Sequence, residues 1–198
     1  MCDNVNSCNN QRRIFLIKCL TGGALTASAT MLPLPAWSLS NIPKGLLPGN
    51  SVFDFRGDVK VDGHKANPYT FVSSQSSIET GSNSHIIFAV GEDAFVLRSN
   101  SKMHLKGGTD FLSEIRIISG QLLSVFGRRP DSNQLQLKTS TATIGIRGTG
   151  VYVEAEDKKT YACCCYGSIE TSAISTNETE TVTAPHHRSK YIYKEPEK

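Results

Sequence analysis

Three consecutive cysteines near the C-terminus, Cys163, Cys164 and Cys165, are the residues of this chain best suited to chemistry. The segment 161–167 around them has the character of a β-strand, in which successive side chains point to opposite faces. Cys163 and Cys165 are therefore predicted to share one face, with Cys164 on the other. Two thiolates about 6–7 Å apart along one strand can converge on a single soft metal ion.

Two neighbouring histidines, His186 and His187, lie downstream and offer nitrogen ligands. If the C-terminal strand returns beside the cysteines, one or both imidazoles would complete a tetrahedral site with Cys163 and Cys165. Adjacent side chains diverge in a strand, so both histidines reach one ion only from a loop. Zinc, copper and iron suit this ligand set. Two other interpretations stay open, namely packing of the cysteines as small apolar residues and disulfide formation in an oxidising compartment.

Composition excludes several other function classes. The chain has 198 residues, 38% of them hydrophobic, and a formal net charge of +3, with basic and acidic residues interspersed. These values fit one soluble domain plus a processing segment and predict no nucleic-acid partner. The sequence has no nucleophile elbow, no His-Glu-x-x-His and no phosphate-binding glycine loop. We therefore predict that the protein is not an enzyme.

The elements that must position the cysteines are predicted to be short antiparallel strands. From residue 52 onward, apolar and polar residues alternate in brief runs separated by Gly, Asn, Asp and Ser. Residues 86–97 predict a hairpin around Gly91-Glu92-Asp93. Other strands are expected at 59–61, 115–118, 122–126 and 135–137. The predicted fold class is an all-β antiparallel sandwich or β-roll over residues 52–193, followed by a polar tail at 194–198.

One strand is predicted to turn a corner. Ala142, Ile144 and Ile146 share a face, whereas Val151 and the alternate residues after it would fall on the opposite face if the strand continued regularly. A bulge or corner is therefore expected at residues 148–150, where two glycines permit unusual backbone angles. Arg147 is expected to support this corner rather than to bind a ligand.

The first forty residues are predicted to be an export signal. Gln11-Arg12-Arg13-Ile14-Phe15-Leu16 resembles a twin-arginine targeting motif, and a moderately apolar stretch follows it. Cleavage is expected near Ala36 or at 38–40, which gives a periplasmic protein. Retention as a membrane anchor is the alternative. The resemblance implies export in a folded state, and exported proteins of this kind often acquire a metal or cofactor first.

The body of the chain resembles the FecR domain, named for a regulator of iron-citrate uptake. Residues 139–153 are similar to the most recognisable stretch of that family, in which Arg147, Gly148 and Thr149 form the signature. Other resembling segments, in chain order, are the opening strand at 57–61, the segment 78–84, the hairpin 86–97 and the last strand at 166–170. Cys-x-Cys-Tyr-Gly followed by a histidine pair also resembles a subset of FecR-domain proteins with twin-arginine leaders.

The resemblance implies a non-catalytic binding or scaffold module in the bacterial envelope, with an envelope protein or ligand as partner. A metal or redox role at the Cys–His cluster is the alternative. In the best-known FecR regulator a cytoplasmic segment holds a sigma factor, and a transmembrane helix follows. Only a short polar stretch precedes Arg12 here. A sensor role in a sigma-factor system therefore ranks third among the expectations.

Overall fold

The computed structural model describes residues 51–108, 111–127 and 135–194. These residues belong to one compact unit, Leu47–Lys198. The predicted signal at 1–40, with Arg12 and Arg13, lies outside the described residues, as does the predicted tail beyond Lys194. No helix of the described part is long and apolar enough to cross a membrane.

The described residues form strands and no helices, which confirms the predicted all-β class. The strands are β1 (Val52–Arg56), β2 (Val59–Val61), β3 (His64–Lys65), β4 (Ser77–Thr80), β5 (His85–Val90), β6 (Asp93–Leu97), β7 (Lys102–Gly107), β8 (Leu112–Val125), β9 (Leu135–Lys138), β10 (Ala142–Ala155), β11 (Lys159–Ala173), β12 (Thr179–Ala184) and β13 (Arg188–Tyr193). All thirteen belong to one hydrogen-bonded sheet.

The sheet has two arms that share three long strands. The first arm has the order β3-β2-β4-β7-β8-β9-β10-β11-β12, and the second has the order β1-β5-β6-β8-β10-β11-β13. The early part of β8 pairs with β7 and β9, and its later part pairs with β6 and β10. Every pair is antiparallel except β8 with β9, which is parallel.

The predicted corner in β10 is confirmed. The register of β10 against β11 shifts between Arg147 and Gly150, so Gly148 and Thr149 lie at an irregularity of the ladder. Before the corner the core-facing residues are even-numbered, and after it they are odd-numbered: Ala142, Ile144 and Ile146, then Val151, Val153 and Ala155. The extra residues of the bulge thus return apolar side chains to the core after the strand bends.

Two other long strands change phase in the same way. In β8, Ile115 and Ile117 face the core before the bend and Leu122 faces it afterwards. In β11, Cys164 precedes the bend and Ile169 follows it. These side chains belong to one hydrophobic cluster that also contains residues of both arms, for example Met103 of the first arm and Phe95 of the second. The fold therefore encloses a single core between the arms.

Two details of the predicted strand boundaries were wrong. The expected separate strands at 115–118 and 122–126 are one strand, β8, which bends at Gly120 without ending. The expected opening strand at 57–61 is preceded by β1, which pairs with β5. The predicted hairpin is confirmed, with β5 and β6 joined through Gly91 and Glu92.

An ion pair across the parallel strands makes stability depend on pH. Lys138 Nζ lies 2.7 Å from Glu114 Oε2, and this hydrogen bond and the lysine charge hold the pKa of Glu114 below its usual value of 4.5. The stability from the pair is present above that usual value and is lost as pH falls through the lower folded-state pKa. Glu114→Gln should therefore cost up to about 1 kcal/mol at pH 7.

The measurement is urea unfolding of both proteins at pH 7 and at an acid pH where the carboxyl is protonated. We expect the difference between wild type and Glu114→Gln to disappear in acid. Glu156→Gln is the control, because Glu156 is 59% exposed and its Lys159 partner is 3.5 Å away. If wild type and Glu114→Gln differ in stability as much in acid as at pH 7, the ion pair with Lys138 is not the source of the difference.

Candidate metal centre and groove

The outer face of the second arm carries an open groove with a volume of about 480 Å³. Strand pairing places Leu123 of β8, Tyr152 of β10 and Cys163 of β11 side by side across the sheet. The row beside it contains Glu154, Tyr161 and Tyr191. All six line the groove, together with Cys165 and His187.

Alternation along β11 separates the three cysteines as the sequence predicts. Cys164 is fully buried and packs in the core cluster, whereas Cys163 and Cys165 line the groove. None of these three cysteines forms a disulfide bond. Packing as a small apolar residue therefore describes Cys164, and the other two sulfurs remain free for chemistry.

A second bulge places Cys165. Gly150 pairs with Tyr166 and the next residue, Val151, pairs with Cys164, so Cys165 is the extra residue on β11. Bulges re-aim side chains at the edges of sites. The sequence indicated the bulge in β10 but not this compensating one, because its position depends on the pairing of two distant segments.

The C-terminal strand returns beside the cysteines, as the metal hypothesis required. In the antiparallel register of β11 with β13, Tyr161 lies opposite Tyr191 and Cys163 lies opposite Ser189. If the same register is extended by two residues beyond Cys163 and Ser189, His187 lies opposite Cys165. Because this histidine directly precedes β13, the imidazole reaches the groove from the end of the β12–β13 connection.

The structure brings together three of the four predicted ligands. Ligand atoms of Cys163, Cys165 and His187 all lie within 4.8 Å of one another. The distance from Cys163 Sγ to His187 Nδ1 is 3.8 Å, and Cys165 Sγ is 3.9 Å from the carbonyl oxygen of Cys163. His186 is exposed and does not belong to this group.

Burial raises the pKa of three groups in the groove, two thiols and one phenol. Loss of solvent raises the pKa of the Cys163 thiol, and it raises the pKa of Cys165 to about 12. The pKa of Tyr152 is also raised, first by burial and then by Glu154, whose Oε1 accepts a 2.6 Å hydrogen bond from the tyrosine hydroxyl. Neutral thiols are weak nucleophiles, whereas a cation would favour the thiolates that bind it.

The groove lining includes Tyr152, Tyr161 and Tyr191, which form a chain of ring contacts that continues to Tyr193. Ring centroids are 6.2 Å apart for Tyr152 and Tyr161, 5.0 Å for Tyr161 and Tyr191, and 6.3 Å for Tyr191 and Tyr193. Tyr191 is 52% exposed, and Lys159 Nζ lies 5.8 Å from the centre of its ring. Such amphipathic rings suit a binding surface because each offers large apolar area and a polar tip.

These tyrosines were not among the predicted site residues, although residue parity contains a signal for them. Tyr161 has the same parity as Cys163 and Cys165, so a strand places all three on one face. Tyr191 and Tyr193 share parity with His187, and the buried Ile192 has the opposite parity. Once Ile192 is assigned to the core, the same reasoning selects His187 rather than His186.

Arg147 and the other three histidines lie apart from the groove. Arg147 is exposed, and its Nη2 lies 3.3 Å from Glu170 Oε2 on the neighbouring strand. His64 and His104 are exposed, and His85 Nε2 lies 3.4 Å from Asp54 Oδ2. None of these four lines the groove.

Part of this fold is similar to a known protein family. A family model described as "FecR protein" aligns with residues 74–170, just under half of the chain. Residues 74–170 therefore resemble a FecR-type domain. The FecR resemblance of the hairpin and of the segment around Arg147 is confirmed by this match. Cys163 and Cys165 lie inside the matched region, whereas His187 lies beyond it. No curated protein matches the chain.

Two crystal structures of a "putative anti-sigma factor" from Parabacteroides distasonis ATCC 8503, at 1.65 Å and 2.50 Å resolution, are similar in fold. Each has a TM-score of 0.51 and 14% identity and covers 62% of this chain. This chain spans just over half of their length, 57% and 56%. At this identity the likeness concerns the fold alone.

Proposed function

We propose that this protein is an exported, non-catalytic binding module of the bacterial envelope, with a sensory or regulatory role exercised through a protein partner. The observation that carries the proposal is the groove on the outer face of the second arm. Its chain of tyrosines is exposed at Tyr191, while the opposite face of the same strands packs in the core. Exposed aromatic side chains around a concave surface are typical of recognition sites.

The chemistry of the groove supports binding rather than catalysis. A nucleophilic cysteine needs a lowered pKa, and burial raises the pKa of both groove thiols. Tyr152 is held as a neutral hydrogen-bond donor to Glu154. These groups can orient or hold a ligand, but in this state they do not attack one.

The comparisons support the regulatory part of the proposal. The similar solved structures are described as an anti-sigma factor, a type of protein whose partner is a sigma factor, so a protein partner is the coarser expectation for this chain. A metal-binding role is the second candidate function. The convergence of Cys163, Cys165 and His187 favours it.

Site-specific cross-linking in living cells tests location and groove together. A photoreactive phenylalanine analogue replaces Tyr191, which is 52% exposed in the groove, or Tyr69, which is 81% exposed outside it. We expect one discrete cross-linked envelope protein from position 191 and none from position 69. Exposure alone would favour position 69, so the comparison isolates recognition by the groove.

The same experiment is repeated with Arg12→Lys and Arg13→Lys combined. If the paired arginines direct export, the cross-link is lost and the protein accumulates in the cytoplasmic fraction. A cross-link that persists in this variant would contradict export through these residues. Equal cross-linking from positions 191 and 69 would contradict the groove as the binding surface.

A further inference from the structure

The three groove ligands approach the spacing of a metal site before any ion is bound. Around a tetrahedral ion with bonds of about 2.3 Å to sulfur and 2.0–2.1 Å to nitrogen, two sulfurs lie about 3.8 Å apart and sulfur lies about 3.6 Å from nitrogen. Cys163 Sγ and His187 Nδ1 are 3.8 Å apart, and all ligand atoms are within 4.8 Å. Changes of about an ångström in the separations of the ligand atoms would complete the geometry.

The surroundings of the sulfurs suit a thiolate–metal bond. Cys163 is only 7% exposed, and its sulfur is exposed to little competing water. Tyr152 and Tyr161 line the groove together with both cysteines, and Tyr152 pairs directly with Cys163 across the strands.

We propose that Cys163, Cys165 and His187 form a mononuclear site for one thiophilic closed-shell ion, Zn²⁺ or Cu⁺, and that the bound ion fastens β13 to β11. The inference rests on the proposed binding function of the groove and names an ion that it holds. His186 is not a ligand of this site, and Cys164 is a core residue.

The binding step balances without an oxidant. Each of the two thiols loses its proton to solvent, and each sulfur donates an electron pair to the ion, as does the neutral imidazole. With Zn²⁺ the charges of two thiolates are cancelled, whereas Cu⁺ leaves one net negative charge. Glu154 adds a further carboxylate to the groove lining. Charge balance in this half-buried site therefore favours Zn²⁺ over Cu⁺.

The ion would restrain β13 because its ligands come from β11 and from the residue that directly precedes β13. Five of the six residues of β13 are exposed or half-buried, and only Ile192 is buried. A bond from His187 to the ion would join the start of β13 to Cys163 and Cys165 of β11. Metal binding should then slow local opening of this strand, which otherwise depends on its backbone pairing and the tyrosine contacts.

The test is metal titration of the full-length protein, stripped with a chelator and kept reduced and free of oxygen. Zn²⁺ and Cu⁺ are added in separate experiments, with competing chelators of known affinity. We expect one ion per chain. Cys163→Ser combined with Cys165→Ser should abolish binding. His187→Ala should weaken binding by more than about 10–100-fold, because that is the usual cost of losing a group that only contacts a ligand, and His187 is itself a ligand.

Two matched controls lie beside the ligands. Cys164→Ala removes a thiol from the same run, and His186→Ala removes the neighbouring imidazole; both should retain one ion per chain. Hydrogen exchange at residues 188–194 should slow when the preferred ion is added to wild type and should not change in His187→Ala. His187 is exposed, so this variant keeps the test decisive even if the double cysteine variant misfolds.

Three results would overturn the inference. These are stoichiometry well below one for both ions, equal weakening by His186→Ala and His187→Ala, and metal-independent exchange of β13. The ion that binds more tightly distinguishes Zn²⁺ from Cu⁺. Failure here leaves the cross-linking result at position 191 intact, and absence of a cross-linked partner leaves metal binding intact, so the two proposals fail separately.

Discussion

Replacing Gly120 with alanine is expected to lower the free energy of unfolding by about 2–5 kcal/mol, combining left-handed strain and steric overlap. Gly120 occupies the bend of β8 with a φ of +94°. A Cβ there would lie 2.1 Å from Ser101 Oγ and 2.5 Å from Ser101 Cα. Because one of these contacts is to backbone, a change of rotamer cannot relieve it.

Ser101 has little freedom to move away. Its backbone nitrogen donates to Thr80 Oγ1 at 3.0 Å, and its hydroxyl accepts a 2.9 Å hydrogen bond from the backbone N–H of Gln121. The residue also joins β4 to the turn before β7, since the Thr80 amide donates to the Ser101 carbonyl. Accommodating alanine would therefore disturb the junction of three strands.

Gly63→Ala is the matched control. Gly63 has a φ of +79°, but a Cβ there meets no atom within 4 Å. This variant should show the backbone strain alone, about 1–2 kcal/mol. Denaturant unfolding of both full-length variants measures the difference. If Gly120→Ala is no less stable than Gly63→Ala, the close approach of Ser101 is not a constraint on the bend.

Phe95→Ala is expected to be the most damaging single truncation in the core, with a loss of about 3–5 kcal/mol. The ring is fully buried and stacks on Phe88 with centroids 5.0 Å apart, and Phe126 meets it edge-on at 6.0 Å. Alanine would leave a cavity in the second arm that these two neighbouring rings cannot fill without leaving their own contacts.

The measurement is the midpoint and slope of denaturant unfolding, with Phe71→Ala as control. Phe71 is 61% exposed, so its truncation should change stability by no more than about 0.5 kcal/mol. Phe95→Leu, which retains most of the volume, should fall between the two alanine variants. Equal midpoints for Phe95→Ala and Phe71→Ala would contradict the assignment of the aromatic cluster to the core.

Local patterns predicted the parts of the fold that local physics determines. Two-residue alternation indicated the β5–β6 hairpin, and the phase change around Gly148 indicated the corner of β10. Alternation also separated Cys164 from the other two cysteines. Each of these features depends on residues close together in the chain, where the direction of a side chain follows from strand geometry.

Features that depend on distant pairing were not predicted from the sequence. β12 has mostly exposed residues, so it lacks the apolar alternation that marks a strand. In the sequence, Gly120 resembles a turn between two strands. Glycine adopts a left-handed conformation in turns and in bent strands alike, so the residue type does not reveal that β8 continues through it. Residue parity favours His187 over His186, but the pairing that brings His187 beside the cysteines depends on the register of β13 on β11, which only the folded chain defines.

The sharing of β8, β10 and β11 between the arms makes the domain hard to divide. Opening one arm breaks ladders in strands that also run through the other, so partial loosening should spread rather than stay local. A circular permutant with its new termini within any of these three strands should lose strand pairing in both arms. New termini in the connection between β12 and β13 should loosen only the strand that follows His187.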